Sequence, residues 1–146
     1  MRTGATVLMG LVVAACARLP TVEPVGANEV LIVAETARVA GVLGLEVRGA
    51  ISERPYVVPA GQQGCPAVPA TGCYAAGWYV GGVAYYWRGW VARADAGEIT
   101  FVATHEVCHA VDPVGHGPAW EACMARGGYP GAGATIAGEG GDRWVE

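Results

Sequence analysis

Residues 104–130 read THEVCHAVDPVGHGPAWEACMARGGYP, and this stretch decides the fold expected of the chain. It opens with HEVCH at 105–109, an H-E-x-x-H pattern. On an α-helix, residues four apart lie one above the other on the same face, so His105 and His109 can bind one Zn²⁺ together. Glu106 directly follows the first histidine, where its carboxylate can take a proton from an attacking water.

A third metal ligand is expected, because catalytic zinc usually has three protein ligands and one open position. His116 is the leading candidate: Pro113 stops the first helix, and Pro118 favours the start of a second helix just behind His116. The chain has three histidines, and all of them lie in this short window. Asp112 and Glu121 remain as alternative third ligands.

HEVCHA at 105–110, GHGPAW at 115–120 and GGYP at 127–130 together resemble the SprT-like, or Spartan-type, zinc metallopeptidases. The resemblance is specific over about residues 98–130 and weak before them. It implies that the histidine of the H-G-P-x-[FW] element, here His116, completes the zinc site. It also implies a small α+β, zincin-like domain with an N-terminal helix, a short, mostly antiparallel sheet, the H-E-x-x-H helix and a following helix.

The same resemblance implies an enzyme, a zinc metalloendopeptidase with one Zn²⁺ on His105, His109 and His116 and with Glu106 as general base. Its substrate would be a protein or peptide, and in zincin-like folds the strand before the zinc helix, here about 83–91, would pair with an extended substrate. Two other functions stay open: a non-catalytic envelope lipoprotein that binds zinc, and a zinc amidase acting on cell-wall peptides. Glu106 counts against the first, because a structural zinc site does not need that carboxylate.

Residues 1–15, MRTGATVLMGLVVAA, predict a signal peptide: Arg2 is positive, and the apolar run that follows is too short for a transmembrane helix. Val-Ala-Ala-Cys at 13–16 resembles a bacterial lipobox, which implies that Cys16 is the lipidated N-terminus of the mature protein. We therefore expect an exported lipoprotein that faces the periplasm or the cell surface and is held to the membrane by its lipid. Ordinary cleavage near this point is the alternative.

Cysteine usage agrees with export. Apart from Cys16, the other four of the five cysteines form an even set, which predicts two disulfides in an oxidising compartment. Three pairings are possible, and the sequence does not decide among them. Closeness along the chain favours Cys65 with Cys73 and Cys108 with Cys123, and the second bond would join the zinc helix to the helix that follows it.

Charge argues against a nucleic-acid partner. The formal net charge is −4, with nine basic residues and no basic run. Nucleic-acid binding needs a positively charged patch to meet the phosphates. We therefore expect no nucleic acid, although the best-known members of the resembled family cut proteins that are crosslinked to DNA.

The chain is expected to have four parts: a signal peptide at 1–15, the lipidated cysteine and a tether at 16–27, the domain at 28–130 and a Gly-rich tail at 131–146. Sequence patterns also predict the elements of the domain. These are a helix over 29–43 capped by Asn28, strands at 45–51 and 56–58, a hairpin of strands 73–80 and 83–91 turning at Gly81-Gly82, a zinc helix at 96–111 with a capping box from Asp95 and Glu98, and a helix at 117–127.

Overall fold

The computed structural model describes residues 20–59, 73–113, 115–132 and 144–145. These residues form helices and strands in an α+β arrangement, which confirms the predicted fold class. The helices are α1 Ala27–Leu43, α2 Arg88–Val91, α3 Ala96–Cys108 and α4 Pro118–Arg126. The strands are β1 Thr21–Val22, β2 Arg48–Ser52, β3 Tyr56–Val58, β4 Cys73–Ala75, β5 Gly77–Val80, β6 Val83–Trp87 and β7 Trp144–Val145.

The strands form two sheets. The larger has the order β1-β2-β6-β5, in which β2 and β6 are parallel and the other two pairs are antiparallel. The smaller is antiparallel, with the order β3-β4-β7. The chain changes sheet at Ala76, so the single strand predicted over 73–80 is two strands in different sheets.

The hairpin predicted at Gly81-Gly82 is confirmed. Both glycines have positive φ, 54° and 83°, which a two-residue turn that continues the strand twist requires. Val80 pairs with Val83 across it. The second strand is shorter than predicted: after Trp87 the chain enters α2, which buries the Trp90 side chain in the main core.

Helix α1 begins two residues earlier than predicted, and its cap differs. Gly26 is the N-cap, and the Glu29 carboxylate accepts hydrogen bonds from the backbone of Val25 and Gly26. Asn28 lies within the first turn, where its amide donates to the carbonyls of Val91 and Ala94 at 3.1 and 2.9 Å. The predicted cap residue instead fastens α1 to the end of α2 and to the loop that follows it.

The capping box predicted for the zinc helix is confirmed. The backbone N–H of Glu98 donates to Asp95 Oδ1 at 2.9 Å, and that of Asp95 donates to Glu98 Oε2 at 3.0 Å. The helix, α3, ends at Cys108, three residues earlier than predicted. One core joins α3 to α1 and the larger sheet, and a second joins the ends of α1 and α3 to α4.

Several predictions fall at or beyond the limits of the described residues. The signal peptide at 1–15, Cys16 and Cys65 lie outside them. Within the stretch expected to be a tether, Thr21–Val22 pair with β2 as strand β1. Within the expected Gly-rich tail, Trp144–Val145 pair with β4 as strand β7. None of the described helices is both long and apolar enough to cross a membrane.

Candidate metal centre

The three histidines lie together in space. The Nε2 atom of His105 is 3.2 Å from Nε2 of His109 and 3.2 Å from Nε2 of His116. One ring nitrogen from each lies within 4.8 Å of the others. Nitrogen ligands at tetrahedral positions 2.0–2.1 Å from one zinc ion would be about 3.3–3.4 Å apart. The spacing therefore fits a single metal ion held by three imidazoles.

Two structural elements bring these ligands together. His105 is buried on the last turn of α3, and His109 directly follows that helix with helical backbone angles of −65° and −11°. His105 and His109 therefore keep the i, i+4 arrangement predicted for them, although α3 ends at Cys108. His116 comes from the loop before α4, which begins at Pro118, one residue later than predicted and with the expected proline in its first turn. The metal-ligand cluster among the described residues consists of these three histidines.

Asp112, an alternative ligand in the sequence analysis, has a different role. Its carboxylate accepts a hydrogen bond from the backbone N–H of Gly117 at 2.9 Å, which fastens the loop that carries His116. Its backbone carbonyl lies 2.9 Å from Nδ1 of His109. If Nδ1 carries the proton and donates a hydrogen bond to that carbonyl, Nε2 has the lone pair that would bind a metal. The other alternative, Glu121, is exposed on α4.

Trp120 packs against all three histidines of the cluster. Its side chain is fully buried, and its ring centroid lies 5.0, 6.2 and 4.6 Å from those of His105, His109 and His116. Its indole N–H donates to the backbone carbonyl of His105 at 3.3 Å. One residue of the H-G-P-x-W element therefore supports all three candidate ligands.

The electrostatics favour neutral imidazoles. Burial holds the pKa of His105 well below its ordinary value, and the nearby rings of His109 and His116 lower it further. Burial also lowers the pKa of His116, while Asp112 acts in the opposite direction. A neutral ring nitrogen is the form that binds a metal, so His105 and His116 are prepared for coordination at neutral pH.

Glu106 is buried beside the cluster. Its Oε1 atom lies 4.0 Å from Nε2 of His105, and its side chain packs against Gly77 on β5. A Cβ at position 77 would be 3.0 Å from Cγ and 3.1 Å from Oε1 of Glu106. A glycine on the strand therefore leaves the room that this carboxylate occupies, a requirement that no sequence pattern indicated.

A disulfide joins α3, which carries His105, to α4, the helix that follows His116. Cys108 at the end of α3 is bonded to Cys123 on α4, with their Cα atoms 5.6 Å apart, as predicted. The loop that it closes contains His109 and His116. Cys73 is also disulfide-bonded. Because Cys65 lies outside the described residues, its pairing with Cys73 stays a prediction.

Comparisons with known proteins add nothing to this geometry. No protein-family model, no curated protein and no solved structure matches the chain. The interpretation of the site therefore depends on its own residues and distances.

Proposed function

We propose that this protein is an exported, zinc-dependent metallopeptidase of the SprT-like kind. The observation that carries the proposal is the cluster of three Nε2 atoms with a buried carboxylate next to it, its Oε1 4.0 Å from Nε2 of His105. Structural zinc sites are usually closed by four protein ligands, whereas catalytic sites have three and an open position. A three-histidine set beside Glu106 matches the catalytic pattern.

The residues of the site would have separate roles in metal binding, ligand positioning and proton transfer. His105, His109 and His116 would hold the metal, and Trp120 and Asp112 would keep their rings in place. When bound, zinc would polarise a peptide carbonyl and lower the pKa of the attacking water. Glu106 takes the proton of that water and then passes it to the leaving amine.

The open edge of the larger sheet supports an extended peptide as substrate. The expectation that the strand over 83–91 pairs with substrate was wrong, because β6 already has β2 and β5 on its two sides. Strand β5 has only β6 as a neighbour in that sheet, among the described residues. It also carries Gly77, the residue in contact with Glu106. A peptide added to β5 would therefore pass beside the proposed general base.

Export and lipidation at Cys16 are part of the proposal. The buried disulfide between Cys108 and Cys123 fits an oxidising compartment, such as the periplasm or the cell surface. The net charge of −4 fits a protein or peptide substrate better than a nucleic acid. The membrane would be reached through the lipid on Cys16.

Cleavage of a mixed peptide library tests the proposed activity. The zinc-loaded soluble chain starting at Ala17 is compared with Glu106→Gln and with Glu121→Gln, an exposed glutamate on α4 that serves as the matched control. We expect cleavage by the wild type and by Glu121→Gln, zinc binding by all three, and no cleavage by Glu106→Gln. Hydrolysis by Glu106→Gln would refute the mechanism.

The alternatives give different results in the same experiment. A folded, zinc-bound wild type that cleaves neither the library nor cell-wall peptides would be a zinc-binding lipoprotein without catalysis. Cleavage of cell-wall peptides alone would identify the zinc amidase.

A further inference from the structure

The outward face of α1 has an unusual composition for a surface helix. Its exposed positions recur with helical spacing and are apolar except for one arginine. They are Ala27, Val30, Leu31, Ala34, Ala37, Arg38, Gly41 and Val42, called the α1 stripe below. Val30, Leu31 and Val42 are 52%, 41% and 67% exposed. A helix that packs one face on a core normally presents polar residues on the other, so a contiguous apolar stripe indicates a contact surface.

One feature leaves this surface without net charge, and another extends its apolar area. The single charge in the α1 stripe, on Arg38, is paired with Glu35 at 2.6 Å. Val25, directly before the helix, is 79% exposed and extends the apolar surface towards the point where the chain enters the domain.

The proposed lipid anchor is only four residues from the start of the described domain. Pro20 is the first described residue, and β1 begins at Thr21. Four peptide units join Cys16 to Pro20, and consecutive Cα atoms are 3.8 Å apart, so that segment reaches at most about 15 Å. The headgroup layer takes up roughly 5–8 Å of this length. The start of the domain would therefore lie within about 10 Å of the membrane surface.

We propose that the α1 stripe lies on the lipid bilayer, so that the anchored domain is oriented with α1 along the membrane surface. This proposal depends on the lipidation of Cys16 and not on peptidase activity. A helix with an apolar stripe binds in the interfacial region, where its apolar side chains enter the acyl boundary. The net charge of −4 gives no general attraction to anionic lipids, so apolar contact and the anchor carry the binding.

A second copy of the chain fits this surface less well than a bilayer. The 17 residues of α1 span about 26 Å, and a helix is about 10 Å wide, so the helix face offers roughly 300 Å². Stable protein interfaces usually need about 800 Å² from each partner. A bilayer has no such requirement, because the lipid on Cys16 already supplies the anchor.

Position-specific quenching by lipid tests the orientation. The lipidated full-length protein, purified from a bacterial membrane, is placed in phosphatidylcholine vesicles that contain a lipid with a quencher on its acyl chain. An environment-sensitive fluorophore is attached at Ala34→Cys in the α1 stripe or at Ala122→Cys. The two are matched as exposed alanines on helices, and Ala122 lies on α4.

We expect a blue-shifted emission that the lipid quenches at position 34, and an aqueous emission without quenching at position 122. Equal quenching at both positions, or none at position 34, would overturn the proposal. A soluble Cys16→Ser chain that sediments as a dimer, and that Ala34→Glu converts to a monomer, would show that a second copy covers this face. Mass spectrometry that finds Cys16 unmodified would overturn the anchor and this orientation, and it would leave the proposed peptidase untouched.

Discussion

Gly77→Ala tests whether the proposed general base is positioned by the neighbouring strand. The new Cβ would stand 3.0 Å from Cγ and 3.1 Å from Oε1 of Glu106, and 3.1 Å from the backbone oxygen of Tyr85. Contacts this short require a neighbour to move by a few tenths of an ångström. The Tyr85 oxygen belongs to the sheet, so the Glu106 side chain is the neighbour that gives way.

The size of the effect follows from that displacement. Because a misplacement of 1 Å at a catalytic group can cost about 100-fold in rate, a shift of a few tenths predicts a roughly threefold to tenfold lower kcat. Overpacking would also lower the free energy of unfolding by about 1–3 kcal/mol. Zinc affinity should stay unchanged, because the three atoms nearest to the added Cβ belong to Glu106 and Tyr85 rather than to a histidine.

The assay measures kcat and KM on the best peptide from the library, zinc affinity by competition with a chromophoric chelator, and unfolding in urea. The matched control is Gly41→Ala on the exposed side of α1, where an added Cβ meets nothing within 4 Å. That control should keep its activity and gain about 0.5–1 kcal/mol, since alanine is the better helix former. An unchanged kcat in Gly77→Ala, in a protein that Glu106→Gln inactivates, would show that Gly77 does not set the position of Glu106.

Three further predictions concern the loop, the disulfide and a buried carboxylate. Asp112→Ala should weaken zinc binding about 10- to 100-fold, measured by chelator competition, because it releases the loop that carries the third ligand. Asp112→Asn keeps a hydrogen-bond acceptor, so its zinc affinity should stay close to that of the wild type. Equal losses in both variants would contradict this role. Replacing both Cys108 and Cys123 by alanine should lower the free energy of unfolding by about 3 kcal/mol, the entropic contribution expected from closing a loop of this length. An unchanged midpoint in urea would refute this prediction. Burial alone would raise the pKa of Glu29, but hydrogen bonds from the backbone and from Arg88 outweigh it and lower that pKa. The resulting stability is present above the ordinary pKa and is lost as the pH falls through the lowered one. Glu29→Gln should therefore melt at a lower temperature than the wild type at pH 7, and this difference should disappear in acid. Parallel curves of melting temperature against pH for the two proteins would contradict the prediction.

The parts of this fold that the sequence predicted correctly are those set by short-range patterns. The i, i+4 spacing of His105 and His109 needs only a helix, and the Gly81-Gly82 turn needs only positive φ at two adjacent positions. The capping box of α3 has the same local character. His116 was predicted as the third ligand because Pro113 ends one helix before it and Pro118 begins another after it.

The parts that the sequence did not predict depend on contacts between distant segments. The parallel pairing of β2 with β6 joins residues 35 positions apart, and no turn signal marks it. Trp90 was assigned to a strand because aromatic residues favour strands, but it is buried on the short helix α2. The roles of Asp112 and Gly77 depend on what packs against them, which is fixed only when α3, α4 and β5 have assembled.

The disulfide between Cys108 and Cys123 can also report on motion. Cys108 is fully buried and Cys123 is 4% exposed, so a dissolved thiol reaches their sulfurs only when α4 separates from α3. Thiol attack requires access, and access here requires local opening. The rate at which a small reductant breaks this bond therefore measures how often the two helices separate. Bound metal should slow it, because the metal would tie α3 to the loop that leads into α4. Reduction of this one bond would therefore report on local opening at the candidate metal centre.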